Sequence, residues 1–179
     1  MCSILGMGFL KNRKINDLAM IKGMLSVLFK SAQSGGRTAT GASFMHERES
    51  YVVKGHMCAS EMIASDKWLE TIDKQIHFNS ETKDGELLSI IGHCRFPTKG
   101  SPLNNKNNHP IVTGDVVGVH NGCISNDDVL FADMIYNLKR IAQVDSEVIF
   151  SLIDKFSENM VDPVIPAIQR ATKLLVGSY

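Results

Sequence analysis

The chain has 179 residues, 44% of them hydrophobic and 21% charged, and its 19 basic residues balance its 19 acidic ones. This length suits one domain with a sizeable core and is too short for two. The even charge gives no electrostatic basis for binding nucleic acid or an anionic membrane, and no apolar run is long enough to cross a bilayer.

The first half of the chain predicts a strand, a helix and a hairpin, followed by two short helices. Apolar residues at Ile4–Leu10 indicate the opening strand, and Asn16-Asp17 can cap a helix that runs to about Gln33. Polar residues 47–50 form the predicted turn of the hairpin. The remaining predicted elements of this half are the hairpin strands 42–45 and 51–54 and the helices 59–64 and 67–76.

The second half contains a long loop between two predicted strands. Pro97–His109 is rich in Gly, Pro, Asn and Lys, and a long loop inside a compact domain is usually functional. The strands before and after it are predicted at Glu86–His93 and Asp115–His120. Three further helices are predicted, at 127–141, 146–156 and 165–175. This irregular mixture favours an α+β fold with antiparallel sheets over a doubly wound sheet.

Cys2 becomes a candidate nucleophile when Met1 is removed, which is usual before a small residue. The first residue then carries both a thiol and a free α-amine, and the pKa of such an amine, about 7.7–8.0, leaves some of it unprotonated at neutral pH. The amine can take the thiol proton directly or through a water. The alternative is that Cys2 is a small apolar residue in a buried strand.

Arg95 stands where a predicted strand opens into the polar loop. A guanidinium makes two parallel hydrogen bonds with a carboxylate, so Arg95 is a candidate clamp for an acidic group. Thr98 can add a hydroxyl contact. The alternative is a surface salt bridge beside a loop that only connects two strands.

Two further segments supply polar groups that an amide-hydrolysing site needs. In Asn121-Gly122, the side-chain amide and a backbone N–H can form an oxyanion hole, with a hairpin turn as the alternative. Asp145 can accept the α-ammonium of an amino acid, with a helix N-cap as the alternative. Taken together, the candidate residues predict an enzyme that acts on the amide of a free amino acid.

Five segments resemble, in the same order, the glutaminase domain of the class II glutamine amidotransferases, which are N-terminal nucleophile hydrolases. The variety found in glucosamine-6-phosphate synthase is the most similar, because the chain contains the motifs HCRFPT, NHP and HNG. The five segments are 2–6, 36–41, 92–100 with 108–110, 120–122 with 126, and 145–147.

The resemblance implies a four-layer αββα sandwich with two antiparallel sheets, formed by one domain over residues 1–179. It implies hydrolysis of the side-chain amide of L-glutamine to glutamate and ammonia through a thioester on the N-terminal cysteine. It also implies a role for each matching residue. Catalysis is assigned to Cys2, Asn121 and Gly122, and contact with glutamine or support of its site to Arg95, Phe96, Thr98, His109, His120 and Asp145.

The chain departs from the family's pattern in four places. Thr38 stands where the family usually has Asp, Phe96 where the nearest relatives have Trp, and Cys94 where a Thr is usual. Val176–Tyr179 resembles the start of a strand that the family continues into several more. The expected domain is therefore either shortened at this end or a fragment.

The resemblance implies an ammonia-accepting synthase domain or subunit as partner. It implies no cofactor, no metal ion, and no contact with nucleic acid or a membrane. Four widely spaced cysteines without a CxxC pair, together with an amino terminus unlike a signal peptide, predict a cytoplasmic protein with free thiols.

Three other functions stay open at this point. A metal hydrolase would take its zinc ligands from His93, Cys94, His109, His120 and Cys123, although their spacing fits no standard pattern. A non-catalytic module that binds glutamine or another protein is favoured by Thr38 in place of Asp and by the shortened end of the chain. A hydrolase of a different amide is the third alternative.

Overall fold

The computed structural model describes residues 2–10, 17–77, 81–158 and 164–179. Within these ranges the chain forms helices, strands and one 3-10 helix at Asn105–Asn107. The helices are α1 Leu18–Ala32, α2 Ala59–Ala64, α3 Asp66–Gln75, α4 Asp127–Ala132, α5 Glu147–Ser157 and α6 Val164–Thr172. The strands are β1 Ser3–Gly8, β2 Ala39–His46, β3 Ser50–Gly55, β4 Leu87–Arg95, β5 Ile111–Thr113, β6 Val116–Gly118, β7 Cys123–Ile124 and β8 Gly177–Ser178.

A four-stranded antiparallel sheet organises the first half of the chain, in the order β1-β4-β2-β3. Strand β4 pairs with β1 on one side and β2 on the other, so the start of each neighbour lies beside the end of β4. In this register Ser3 is opposite Cys94, and Ala39 is opposite Arg95. The register therefore brings the first residues of the chain next to the arginine that opens the long loop.

Helices α1, α2 and α3 pack on this sheet and enclose the largest apolar cluster of the described chain. Helix α1 buries Ile21, Leu25 and Phe29, which recur every four residues and so share one face. The ring of Trp68 from α3 meets Phe29 edge-on, with ring centroids 5.2 Å apart. Aromatic packing of this kind fixes the helices against the sheet.

The second half of the chain is built from shorter pieces. Strands β5 and β6 form one antiparallel pair, and β7 and β8 form another. Helix α5 packs against α6 and against β5 and β6. Two smaller apolar clusters result, one around Val148 and Leu152 and the other around Phe150.

Most predicted elements of the first half are confirmed, with ends shifted by a few residues. Helix α1 has its N-cap at Asp17, whose carboxylate accepts a hydrogen bond from the Met20 N–H at 2.8 Å. Asn16, the other predicted capping residue, lies outside the described residues. The hairpin is β2–β3, and both predicted short helices are present as α2 and α3.

The predicted helix over 127–141 is wrong beyond Ala132, where α4 ends. The side chain of Asp133 accepts a hydrogen bond from the Ile135 N–H at 2.8 Å, which stabilises a turn. Asn137 has a φ of 48°, a left-handed conformation that a continuing helix does not contain. Local polar contacts thus override the helical spacing of the apolar residues.

Two interpretations of single motifs are also corrected. Asn121-Gly122 is not the turn of a hairpin, because β6 pairs with β5 and β7 pairs with β8. Asp145 is not the N-cap of α5, since Ser146 holds that position. The predicted mixed fold with antiparallel sheets is confirmed. Within the described ranges, no helix combines the length and apolar character that a membrane crossing requires.

Candidate active site

The thiol of Cys2 lies against the backbone at the end of β4. Its Sγ atom is 3.2 Å from the Phe96 carbonyl oxygen and accepts a hydrogen bond from the Phe96 N–H at 3.2 Å. The pairing of β1 with β4 produces this contact, because it aligns Ser3 with Cys94. The phenyl ring of Phe96 is more than half exposed, so the strand end is an accessible surface beside the thiol.

Arg95 is buried, with 3% of its surface exposed, and its guanidinium organises the loop that follows it. Its Nη1 donates to the Asn108 side-chain oxygen at 2.8 Å. Its Nη2 donates to the Lys99 and Gly100 carbonyls at 2.7 and 2.9 Å. These three bonds leave part of the five-donor capacity of a guanidinium for another acceptor.

Burial is the main influence on the electrostatics of Arg95 and lowers its pKa. The negative charges that Cys2 and Asp145 can carry act in the opposite direction and raise it. The guanidinium therefore shares an electrostatic environment with the candidate nucleophile and the candidate ammonium acceptor, although the three residues lie far apart in sequence.

The glycine-rich segment, residues 36–41, packs against the backbone at both ends of the arginine loop, which is the loop Pro97–His109 that follows Arg95. A Cβ atom at Gly36 would lie 2.4 Å from the Arg95 carbonyl carbon, and one at Gly41 would lie 2.2 Å from the His109 carbonyl oxygen. Real Cβ atoms do not approach backbone atoms so closely. The Thr38 N–H also donates to the Arg95 carbonyl at 3.2 Å. The segment thus supports the two ends of the long loop through its backbone.

Ion pairs hold the start of the loop Pro97–His109 to helix α4. The Lys99 ammonium lies 2.6 Å from an Asp127 carboxylate oxygen and 3.1 Å from Asp128. Arg140 pairs with the same two carboxylates from the other side. Asp127 is buried, and a charged group inside a protein is stable only when it is paired in this way.

Asn121 connects the candidate oxyanion segment to the candidate nucleophile. Its side-chain amide donates to the Cys2 carbonyl oxygen at 2.8 Å. Gly122 is enclosed from behind, since a Cβ atom there would lie 2.0 Å from the Ser178 carbonyl oxygen. A side-chain amide carries two N–H donors, so the contact with Cys2 uses one of them.

His120 fixes the same segment through both ring nitrogens. Its Nδ1 is 2.8 Å from the Ser146 hydroxyl and its Nε2 is 3.0 Å from the Ser178 carbonyl oxygen. The carbonyl of His120 is 3.1 Å from Nε2 of His93 on β4. His120 therefore links the first sheet, the start of α5 and strand β8.

His109 is buried and its ring lies against that of His93, with centroids 4.3 Å apart. Burial lowers the pKa of His109 well below the ordinary value for histidine. Neither of its ring nitrogens has a hydrogen-bond partner among the described residues. A neutral imidazole packed in this way belongs to the interior that supports the loop.

Asp145 is buried beside the oxyanion segment, and its carboxylate accepts a hydrogen bond from the Ile124 N–H at 2.6 Å. A carboxylate has about four acceptor positions, so this bond uses only part of its capacity. Thr98 is exposed on the loop. The structure thus joins Cys2, Phe96 and Asn121 by direct contacts, while Arg95 and Asp145 lie behind them.

The residues proposed as zinc ligands for a metal hydrolase do not converge. Nitrogen, sulfur and carboxylate atoms meet at a spacing suited to a metal ion in one group of the described residues, and it contains none of them. Instead, His93, Cys94 and His120 each contact a backbone carbonyl oxygen.

Several residues that build the site make contacts for which the sequence carries no recognisable signal. Asn108 and Lys99 lie in the predicted functional loop, but their partners are distant in the chain. Ser178 contacts Gly122 and His120, a role that only the pairing of β7 with β8 creates. Gly36 belongs to the glycine-rich segment, and its steric role under Arg95 depends on the fold.

Comparison with known proteins gives relatives by sequence and by fold. Glutamine–fructose-6-phosphate aminotransferase [isomerizing] from Listeria innocua is 40% identical over 91 residues, which cover 50% of this chain and 15% of that enzyme. The same enzyme from Staphylococcus epidermidis is 38% identical over 108 residues, covering 59% and 17% respectively. The chain thus spans about a sixth of these relatives, and no family model matches it.

A solved structure of glutamine phosphoribosylpyrophosphate (PRPP) amidotransferase from B. subtilis, complexed with ADP and GMP, shares the fold. Its TM-score is 0.60 at 16% sequence identity, and the match covers 100% of this chain and 34% of that one. The chain is therefore related by sequence to glutamine–fructose-6-phosphate aminotransferases and by fold to a PRPP amidotransferase, which confirms its resemblance to the class II glutamine amidotransferases.

Proposed function

We propose that this chain hydrolyses the side-chain amide of L-glutamine, with Cys2 as nucleophile after removal of Met1. The observation that carries the proposal is the pair of contacts at Cys2. Its thiol lies 3.2 Å from the Phe96 backbone, and its carbonyl accepts the Asn121 amide at 2.8 Å. A sulfur nucleophile and an oxyanion donor thus belong to one cluster, as amide hydrolysis requires.

The first chemical step uses the two functional groups of Cys2. The free α-amine takes the thiol proton, directly or through a water, and the thiolate attacks the side-chain amide carbon of glutamine. The carbonyl oxygen becomes an oxyanion in the tetrahedral intermediate. A second N–H of Asn121 and the backbone N–H of Gly122 stabilise this charge.

Collapse of the intermediate breaks the carbon–nitrogen bond. The proton held by the α-amine passes to the leaving nitrogen, so ammonia departs and a thioester remains on Cys2. Water then attacks the thioester with the same amine as base, which releases glutamate and restores the thiol. Oxidation states do not change, so the two steps need no redox cofactor.

Recognition of glutamine is assigned to the charged residues behind the thiol. Arg95 has donors left for the substrate carboxylate, and Asp145 has acceptor positions left for the α-ammonium. Thr98 and the ring of Phe96 border the entrance. His109 and His120 support these groups from the interior. Both charges of a free amino acid are met in this arrangement, which favours glutamine over an amide within a protein.

We further propose that the chain is a single domain of the four-layer αββα type over residues 1–179. The antiparallel sheets and the match to the PRPP amidotransferase support this architecture. Relatives whose names include a fructose-6-phosphate aminotransfer activity support an ammonia-accepting synthase domain or subunit as the partner.

The test is glutamate release from L-glutamine by the purified chain, compared with Cys2→Ala. Activity is expected in the parent and absent in the variant, because the variant lacks the thiol that forms the proposed thioester. Cys123→Ala is the matched control, since Cys123 is also a free cysteine and is exposed. It should retain the parent's activity. Intact mass shows whether Met1 has been removed.

Three outcomes would contradict the proposal. Hydrolysis that survives Cys2→Ala would exclude the mechanism. A parent chain with Met1 removed that shows no hydrolysis would exclude the activity. Glutamine binding without hydrolysis in that same chain would instead favour the non-catalytic module.

A further inference from the structure

A second cluster of reactive side chains lies at the opposite end of the sheet from Cys2. His46 ends β2, while Ala39 at the other end of this strand pairs with Arg95. Seven residue steps along a strand correspond to about 23 Å. His77 follows α3, and Asp84 lies in the loop before β4, so three separate segments contribute to this cluster.

Two of the distances within the cluster are close to those of a metal centre. Nε2 of His77 is 3.3 Å from an oxygen of Asp84, and Nδ1 of His46 is 3.7 Å from the same oxygen. All three ligand atoms lie within 4.8 Å of one another. A tetrahedral zinc ion with bonds of about 2.0–2.1 Å places neighbouring ligand atoms about 3.3 Å apart.

Hydrogen bonding alone leaves this cluster unsatisfied. The His46 side chain is 1% exposed, yet neither of its ring nitrogens has a hydrogen-bond partner among the described residues, and Nδ1 of His77 is also without one. Buried polar atoms without partners are rare in folded proteins. A neutral imidazole nitrogen without a hydrogen-bond partner is free to coordinate a metal ion.

Backbone hydrogen bonds hold the three ligands in position without a metal ion. The His46 N–H donates to the Glu49 carbonyl at 2.9 Å. The Leu87 N–H donates to the His77 carbonyl at 3.2 Å, and the Arg48 N–H donates to the Asp84 carbonyl at 3.1 Å. Each ligand is thereby tied to the β2–β3 turn or to β4. His46 and Asp84 also line a cavity of about 150 Å³, which gives a fourth ligand such as water access to the site.

We infer that His46, His77 and Asp84 form a binding site for a divalent transition-metal ion such as zinc. Two imidazoles and one carboxylate are ligands that zinc accepts. The ion would join the end of β2, the end of α3 and the loop before β4, and would stabilise the fold at this end. It would lie far from Cys2, so the inference does not depend on the proposed glutaminase activity.

The experiment measures zinc binding to the full chain after treatment with a chelator. Cys2→Ser, Cys58→Ser and Cys123→Ser are introduced into every sample, because these three thiols are free and not buried. Zinc bound by accessible thiols then does not contribute, and glutaminase activity plays no part. Titration calorimetry and elemental analysis should give one zinc per chain. Zinc should also raise the melting temperature, because it binds the folded state.

Single substitutions identify the ligands. His46→Gln and Asp84→Asn should each weaken zinc binding by at least the ~10–100-fold that loss of an outer-shell partner typically costs. His56→Gln is the matched control, since His56 is exposed and outside the cluster, and it should bind as the parent does. A parent that binds less than one zinc, or cluster variants that bind like the parent, would overturn the site.

A variant that fails to fold is replaced by a second one. His77→Gln changes the more exposed imidazole, with 23% of its side chain accessible, and should lose binding while keeping the parent's circular dichroism. X-ray absorption at the zinc edge of the parent should show nitrogen and oxygen neighbours. Sulfur neighbours would place the ion elsewhere and would equally overturn the site.

Discussion

The two halves of this protein are held together by different forces. The four-stranded sheet and helices α1–α3 enclose one large apolar cluster, centred on the aromatic rings of Phe29, Phe44 and Trp68. The second half has smaller apolar clusters and is organised by buried polar side chains such as Glu147 and Asn107. Apolar packing holds the sheet and its helices together as one rigid unit, whereas hydrogen bonds hold individual loops in specific positions.

The candidate active site lies where these halves meet. We call the first half of the chain the sheet half and the second half the polar half. Cys2 and Arg95 come from the sheet, and Asn121 and Asp145 come from the polar half. Loss of a buried hydrogen bond should cost more stability in the polar half, and loss of buried side-chain volume should cost more in the sheet half. The predictions below test this contrast.

The largest expected effect is the loss of Trp68, which is 1% exposed and packs on Phe29. Trp68→Ala should lower the free energy of unfolding by about 3–5 kcal/mol, because it removes a large buried ring and leaves a cavity. Denaturant unfolding measures the change. Leu69→Ala, on the exposed side of the same helix, should stay within about 0.5 kcal/mol of the parent. Equal effects would contradict the importance of the apolar cluster.

The contact between the halves should depend on pH through His93. Burial lowers the pKa of His93 to about 4 from the ordinary value of 6.5 for histidine. The unfolded chain takes up this proton first, so the free energy of unfolding should fall as the pH drops from about 6.5 to about 4, by about 3 kcal/mol. Above about pH 6.5 His93 is neutral in both the folded and the unfolded chain, and the fold keeps its full stability.

Urea unfolding across this window measures the pH dependence. His93→Gln should show a smaller fall than the parent, since an amide does not titrate but can still donate to the His120 carbonyl. His56→Gln changes an exposed histidine and should fall as the parent does. Identical curves for the parent and His93→Gln would show that the buried imidazole does not couple folding to pH.

In the polar half, Glu147 is the residue to remove. It is 1% exposed and its carboxylate accepts the Ile141 and Ala142 N–H groups at 2.7 and 2.8 Å. Glu147→Ala should cost roughly 1.5–3 kcal/mol of unfolding free energy, because hydrogen bonds to a charged group are lost. Glu158→Ala, at an exposed ion pair, should have almost no effect in the same denaturant assay. If Glu147→Ala lowered the free energy of unfolding no more than Glu158→Ala does, the proposed contrast between the two halves would be wrong.

The smallest expected effect is at a polar contact in the sheet half. Asp17→Ala removes the capping bond to the Met20 N–H and should cost about 1 kcal/mol. Thermal or urea unfolding measures the difference. Asp17→Asn should retain most of the stability, because asparagine also caps helices well. A cost as large as that of Glu147→Ala would show that polar contacts matter equally in both halves.

Local patterns in the sequence predict the elements of the sheet half well. The cap at Asp17, the turn of the hairpin and the spacing of Ile21 and Leu25 all act over a few residues. The end of α4 at Ala132 could not be predicted, because the turn after it depends on the side chain of Asp133 and on the unusual backbone of Asn137. The hydrogen bond at Asp133 and the left-handed conformation at Asn137 together outweigh the weak helical preference of this segment.

The candidate site is predictable only in part, for the same reason. The motifs identify Cys2, Arg95 and Asn121, but no motif shows that Asn121 reaches the Cys2 carbonyl. The cluster at His46 and His77 has no sequence signal, since its members are scattered and follow no ligand spacing. Contacts of this kind depend on the tertiary arrangement of all three sheets, which local patterns do not specify.

The close approach of backbones at Gly36 and Gly41 limits how this protein can vary. At both positions the space for a methyl group is occupied by main-chain atoms of the loop that carries Arg95 and His109. Main-chain atoms cannot rotate away as the tip of a side chain can, so even alanine would push the loop off β2. Arg37 between them is exposed and free of this limit. Natural variation should therefore keep glycine at positions 36 and 41, while many side chains can replace Arg37.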